Sequence, residues 1–362
     1  MTYSQGKISL RQALLLVMSS IYSPAVRLFP NFTATHAKQA GWLAPVVSFI
    51  VFIPVIYMLY AFAKKYKDES FIGIMDDICG RIPGKIILFF YIIWLAILTA
   101  LYLRYYSERL LTTILPHASN FLFIVIMTAT VAVTLRKSVV VLARMNEILF
   151  PFLLLVYIGC IIFSLPEFRF KFLLPISRLD IVPMLGANFG ILGIWGYLPL
   201  IFLFGENIKN KRQIKKQGIQ AMVFTAIMSV LFIAVCIGVL DSSLIEILPI
   251  PFFVVVRQIS LFDTIERIES LIVSLWVVTD FVLVAMFITI AMDMLKGMFK
   301  LSDTKHIISI YSLIMLFLSL ILCKSLFELE SFSGLFYIYV NVVFTLAIPA
   351  FVFIIGKIRK KV

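Results

Sequence analysis

The chain reads as long stretches in which nearly every position is apolar, separated by short polar clusters that hold most of its Lys and Arg. The stretches are about twenty residues long. They lack the two-residue alternation of a half-buried strand and the one-sided stripe of a soluble amphipathic helix. Segments of that length, apolar all round, cross the hydrocarbon of a bilayer as α-helices, because their backbone groups must bond within the segment. Barrel strands would be roughly ten residues long with alternating polarity. Ten spans are predicted, at about 8–29, 40–63, 86–110, 121–135, 146–165, 184–205, 217–240, 268–294, 306–323 and 334–356. Between the second and third, Phe71, Ile72, Ile74, Met75 and Ile78 beside Asp76 and Asp77 predict a short helix at the membrane interface. The stretch 241–267, with Pro249, Pro251 and a charged run, predicts a structured cap.

Composition agrees with lipid as the solvent. Of the 362 residues, 62% are hydrophobic and 14% charged, against about 45–50% and 25% in soluble domains. The net charge of +13 would suit nucleic acid, but its placement does not. With the N-terminus inside, the inner segments carry 22 of the 32 Lys and Arg and the outer loops 10. That is the positive-inside bias, and it puts both termini in the cytoplasm. The first apolar run continues past Pro24 to Pro30 without a small-residue cleavage site, so it reads as a retained span. Cys79, Cys160, Cys236 and Cys323, with His36, His117 and His306, show no metal-site spacing. No catalytic constellation and no cofactor motif is visible.

Ten spans divide into five plus five, with repeat one at about 8–165 and repeat two at about 184–356. An odd unit inverts in the membrane, the arrangement of many transporters. Ser23-Pro24 falls about sixteen residues into the first span, and Pro199 falls about fifteen into the sixth, after Gly186, Gly190, Gly193 and Gly196. Both spans are therefore expected to be broken, leaving free main-chain dipoles that suit a small zwitterion such as an amino acid. The other reading of each proline is a kink used only for packing.

Asp280, near the middle of the eighth span with Trp276 one turn before it, is the sharpest single signal. An acid at that depth costs several kcal/mol unless a cavity or partner receives it. It reads as a proton or cation site or a contact for a ligand amine; the alternative is a protonated acid bonded to a nearby hydroxyl. The aromatic and charged end of the third span, Tyr102 to Glu108, reads as interfacial anchoring. Tyr337, Tyr339 and Asn341 in the tenth span suit bonds between helices.

The stretch 249–276 carries a pattern: Pro249 and Pro251, then Arg257, Ile259-Ser260, Asp263, Glu266-Arg267 and Glu269, then Trp276. Together with the start at Lys7-Ile8-Ser9-Leu10-Arg11-Gln12, it resembles the B subunit of bacterial spore germinant receptors, the GerAB type. The resemblance implies an all-α integral membrane protein of the amino acid–polyamine–organocation superfamily, with LeuT-like inverted repeats. It also implies the spore inner membrane, an A subunit and a C-subunit lipoprotein as partners, and a germinant, often an amino acid, as ligand. A receptor rather than an enzyme is implied. The ligand positions it implies are Ser19, Ser20, Tyr22 and Ser23, then Gly193, Trp195, Gly196 and Tyr197, then Thr279 and Asp280. This first-span break lacks the superfamily's usual glycines, and Arg27 just beyond it is a further source of charge. The run Arg257, Asp263, Glu266, Arg267 and Glu269 is mixed in sign and reads either as pairs closing the cap or as a docking surface or gate. A proton- or cation-coupled amino acid transporter is the competing function, because it needs the same pocket.

Overall fold

A computed structural model describes residues 7–67, 69–259, 269–301 and 303–362. The chain starts with β1 (Ile8–Ser9), which leads into α1 (Leu10–Ala37). A tight 3₁₀ turn at Lys38–Leu43 separates α1 from α2 (Ala44–Lys65). There follow α3 (Phe71–Cys79), α4 (Arg81–Thr113), α5 (Asn120–Lys137) and α6 (Val139–Phe163). The sixth span is α7 (Ile181–Trp195), a turn, and a 3₁₀ segment at Leu198–Asn207 that runs into β2 (Ile208–Lys209). Next come α8 (Ile214–Leu240), the short α9 (Ser242–Ile245) and α10 (Pro251–Arg257), then α11 (Glu269–Phe299) and α12 (Lys305–Ile321). The tenth span is α13 (Leu326–Leu335), two wide π turns at Phe336–Val340 and Val343–Ala347, and α14 (Ile348–Ile358).

Eight helical runs among the described residues are long and apolar enough to cross a bilayer. The first of these runs, Leu10–Lys65, holds both α1 and α2, and the shorter apolar α12 adds one more, which gives the ten expected crossings. Many large apolar side chains point outward, among them Ile50, Phe121, Ile148, Leu155 and Ile321. In water such a surface would drive aggregation; in a bilayer it is the solvated face. The interfacial helix forms as α3, with Ile74, Met75 and Ile78 turned inward.

Contacts sort the segment ends onto two faces. On one face β1 pairs with β2 in parallel, Lys211 Nζ donates to the Glu69 carbonyl at 3.3 Å, and Lys361 Nζ donates to the Asp77 carbonyl at 2.6 Å. On the other, Asn31 Nδ2 donates to the carbonyls of Ile245, Glu246 and Leu248, and Gln39 Nε2 to that of Pro175. The helix α1 therefore leaves the face on which the sixth span ends, and the two run in opposite directions, as inverted repeats require.

One expectation fails. The sixth span is interrupted at Gly196 and Tyr197, but α1 is a single helix through Ser23, Pro24 and Pro30. A proline removes one helix hydrogen bond, and membrane helices carry that loss without unwinding. Hydroxyls on either side of the prolines bond back to the main chain: Ser20 Oγ donates to the Leu16 carbonyl at 2.8 Å and Thr33 Oγ1 to that of Phe29 at 2.7 Å. The start of α1 is fixed by a capping box in which Ser9 and Gln12 satisfy each other's backbone N–H groups.

Candidate ligand-binding site

The site is built where α1, α4 and α11 meet. Ser23 is fully buried, Asp280 is 1% exposed and Arg109 is 6% exposed. Ser23 Oγ donates to Asp280 Oδ1. Arg109 Nη1 donates to Ser23 Oγ at 3.1 Å and stands 3.4 Å from Asp280 Oδ2. That carboxylate oxygen has no hydrogen-bond partner among the described residues. The Arg109 guanidinium lies 5.0 Å from the centroid of the Trp276 ring, one turn before Asp280. A serine hydroxyl thus bridges a loose ion pair in a dry interior. Such a pair is held only while both partners remain, because either charge alone is costly there.

A second polar line joins the interrupted span to its neighbours. The hydroxyls of Tyr102 and Tyr197 lie 2.6 Å apart. Asn341 Nδ2 donates to the Gly193 carbonyl at 3.2 Å and to Tyr197 Oη at 3.3 Å, while its Oδ1 accepts from Trp94 Nε1 at 3.0 Å. The carbonyl that the helix end leaves open at Gly193 is therefore met by a side chain of the tenth span.

The expected ligand residues divide. Ser23 and Asp280 come together. Tyr197 lies with Tyr102, about two helical turns along α4 from Arg109, with Phe287 of α11 packed against both tyrosine rings. Ser20 turns toward Met286 Sδ at 3.5 Å. Ser19 donates to Asn146 Oδ1 at 2.7 Å, away from Asp280 and toward α6. Tyr22 faces α6 and α8, edge-on to Tyr157 at 4.8 Å, and lines a separate cavity of about 50 Å³. Trp195 packs edge-on against Phe52 of α2. Thr279 bonds back to the carbonyls of its own helix. Gly193 and Gly196 face the tenth span: a methyl on either would collide with the Tyr337 carbonyl or the Thr345 side chain. They are close-packing glycines. Of the charged run, Arg257 is exposed at the end of α10 and Glu269 opens α11, whereas Asp263, Glu266 and Arg267 lie outside the described residues.

Arg109 escaped the sequence reading, as did the depth of the third span's polar end. Interfacial anchoring is not what Tyr102, Arg104, Tyr105 and Arg109 do; all are buried. The signal was available in Tyr102, Tyr105 and Arg109, which recur at helical spacing on one face, and in Asp280, whose charge demands a cationic partner.

Ten spans in this order with an interrupted sixth make a membrane protein of the LeuT-like fold. The crystal structure of MhsT in complex with L-phenylalanine has the same fold, with a TM-score of 0.67 at 14% identity over 98% of this chain and 90% of that one. The sequence profile of the Spore_permease family, described as spore germination protein, matches residues 7–326, and the chain belongs to that family. Relatives from Bacillus subtilis (strain 168) include spore germination protein KB, 23% identical over 99% of this chain and 96% of that protein. Another is the putative spore germination protein YfkT, 23% identical over 94% of each.

Proposed function

We propose that this chain is the ligand-sensing membrane subunit of a spore germinant receptor, and that a small zwitterion binds at the Ser23–Asp280–Arg109 group. The observation that carries the reading is the unfilled oxygen of Asp280 beside its loose cation. A ligand ammonium satisfies that oxygen better than the 3.4 Å contact does. Arg109 is then released to a new partner, and α4 and α11 exchange one contact for another. Binding moves the receptor only through such a difference in affinity between two states. The name of spore germination protein KB supports the germination role, and the MhsT complex with L-phenylalanine supports an amino acid as ligand in this fold. The receptor sits in the spore inner membrane with both termini cytoplasmic, and works with an A subunit and a C-subunit lipoprotein. The surface near Arg257 and Glu269 is where such a partner docks. The role is reception and not catalysis.

The test uses spores whose receptor carries Asp280→Asn, with protein levels checked by immunoblot. The expected result is a germinant dose-response shifted at least about tenfold, as loss of a charged hydrogen bond implies. An unchanged dose-response at normal protein level overturns the assignment. Uptake of a labelled amino acid by the chain alone in proteoliposomes would replace the receptor with the transporter.

A further inference from the structure

A second guanidinium, that of Arg27, stands one helical turn from the Ser23–Asp280–Arg109 group. Arg27 follows Ser23 by four residues, so both lie on one face of α1. Tyr105 precedes Arg109 by four on α4. The Arg27 guanidinium lies 3.7 Å from the centroid of the Tyr105 ring and 5.6 Å from that of Tyr337. Arg104 pairs with Glu108 at 2.8 Å and Arg109 with Asp280. Arg27 makes no ion pair among the described residues. Its Nη2 is buried without a hydrogen-bond partner. An aromatic face attracts the charge without bonding an in-plane N–H, and Nη2 finds no other acceptor among the described residues. A positive charge whose buried donor is left open calls for an anion. The main chain of α1 offers none of its own N–H groups here, because the helix is continuous.

We infer that Arg27 and Arg109 form the carboxylate subsite of the ligand pocket. The inference rests on the proposed function, in which Asp280 takes the amine. It narrows the ligand to α-amino acids with a free carboxylate, and it replaces a main-chain cradle with a side-chain one. Arg27 approaches from α1 and Arg109 from α4, so the bound carboxylate ties these two helices together.

The experiment assays spores against each L-amino acid and its carboxamide, with receptor carrying Arg27→Gln, Arg27→Lys or the native residue. Native spores are expected to prefer the acid over the amide by about 100-fold, and Arg27→Gln to raise the half-maximal acid concentration about 10- to 100-fold while narrowing that preference. Arg27→Lys keeps the charge but loses the planar fork, so a several-fold narrowing is expected; this variant decides the matter if Arg27→Gln does not accumulate. An acid-to-amide ratio unchanged in the accumulating variant overturns the subsite, as does native equivalence of acid and amide. Native spores that answer no amino acid sink the proposed ligand class itself. An altered ratio in the Arg27 variants with an unaffected Asp280→Asn response sinks only the placement of the amine.

Discussion

Asp280 shows how a single side chain in a membrane dictates the residues around it. A lone acid at that depth forces a choice between a proton and a cation, and the fold supplies Arg109 from a helix 171 positions earlier in the chain. Removing either partner leaves the other uncompensated, which costs about 3–5 kcal/mol. Asp280→Asn and Arg109→Gln are therefore each expected to lower the thermal midpoint of the detergent-solubilised protein. The double variant should lose clearly less than the two losses combined, and scanning fluorimetry across the four proteins measures the coupling. Additive losses would mean that the two groups do not interact. The sequence announced Asp280 because its cost is local. It did not announce Arg109 as the partner, because a cation near a predicted outer end is ordinary until the helix crossing is known.

At the scale of elements, hydropathy was a dependable guide to where helices lie and a poor one to where they break. Each predicted span overlaps a helix, and α3 falls on the expected interfacial stretch. Prolines misled, since Pro24 sits inside an intact helix while the real interruption follows Trp195. What decides the difference is the neighbour. The tenth span lays its π turns against Gly193 and Gly196, and Asn341 meets the carbonyl that the interruption exposes. Both glycines permit this approach, but through different obstacles. At Gly196 the obstacle is the Thr345 side chain; at Gly193 it is the main chain of Tyr337. Gly196→Ala should thus reduce protein level or thermal midpoint by an amount that Thr345→Gly partly restores. Gly193→Ala should cost about 1–3 kcal/mol with no rescue from any change at Tyr337. Restoration at Gly193 by a smaller residue at 337 would contradict the packing described.

Across the whole molecule, the C-terminal tail is tied back to α3. Lys361 Nζ lies 2.5 Å from Asp77 Oδ1, and Tyr66 Oη donates to Asp77 Oδ2 at 2.7 Å. The Lys361 ammonium, then the Tyr66 hydroxyl, hold the Asp77 carboxyl below its usual range. Because the folded protein binds this proton more weakly than the unfolded chain, the tie is complete above the ordinary carboxylate range and is lost as pH falls through the lowered value. The effect is small and salt-sensitive, since both side chains are largely in water. Limited proteolysis should show the tail cut faster as pH drops into that range, and Asp77→Asn should show the faster rate already at neutral pH. A tail equally protected in both proteins at every pH would remove the tie.

The two-residue pairing of Ile8–Ser9 with Ile208–Lys209 has a mechanical consequence. It fastens the first and sixth spans together at one rim through main-chain pairing, with the Ile8 and Ile208 side chains buried beside it. Parting the bundle at that rim means peeling a seam, whereas on the opposite rim side chains make the ties among the described residues: Asn31 on the loop at 245–248, Lys38 on Glu246 and Gln39 on Pro175.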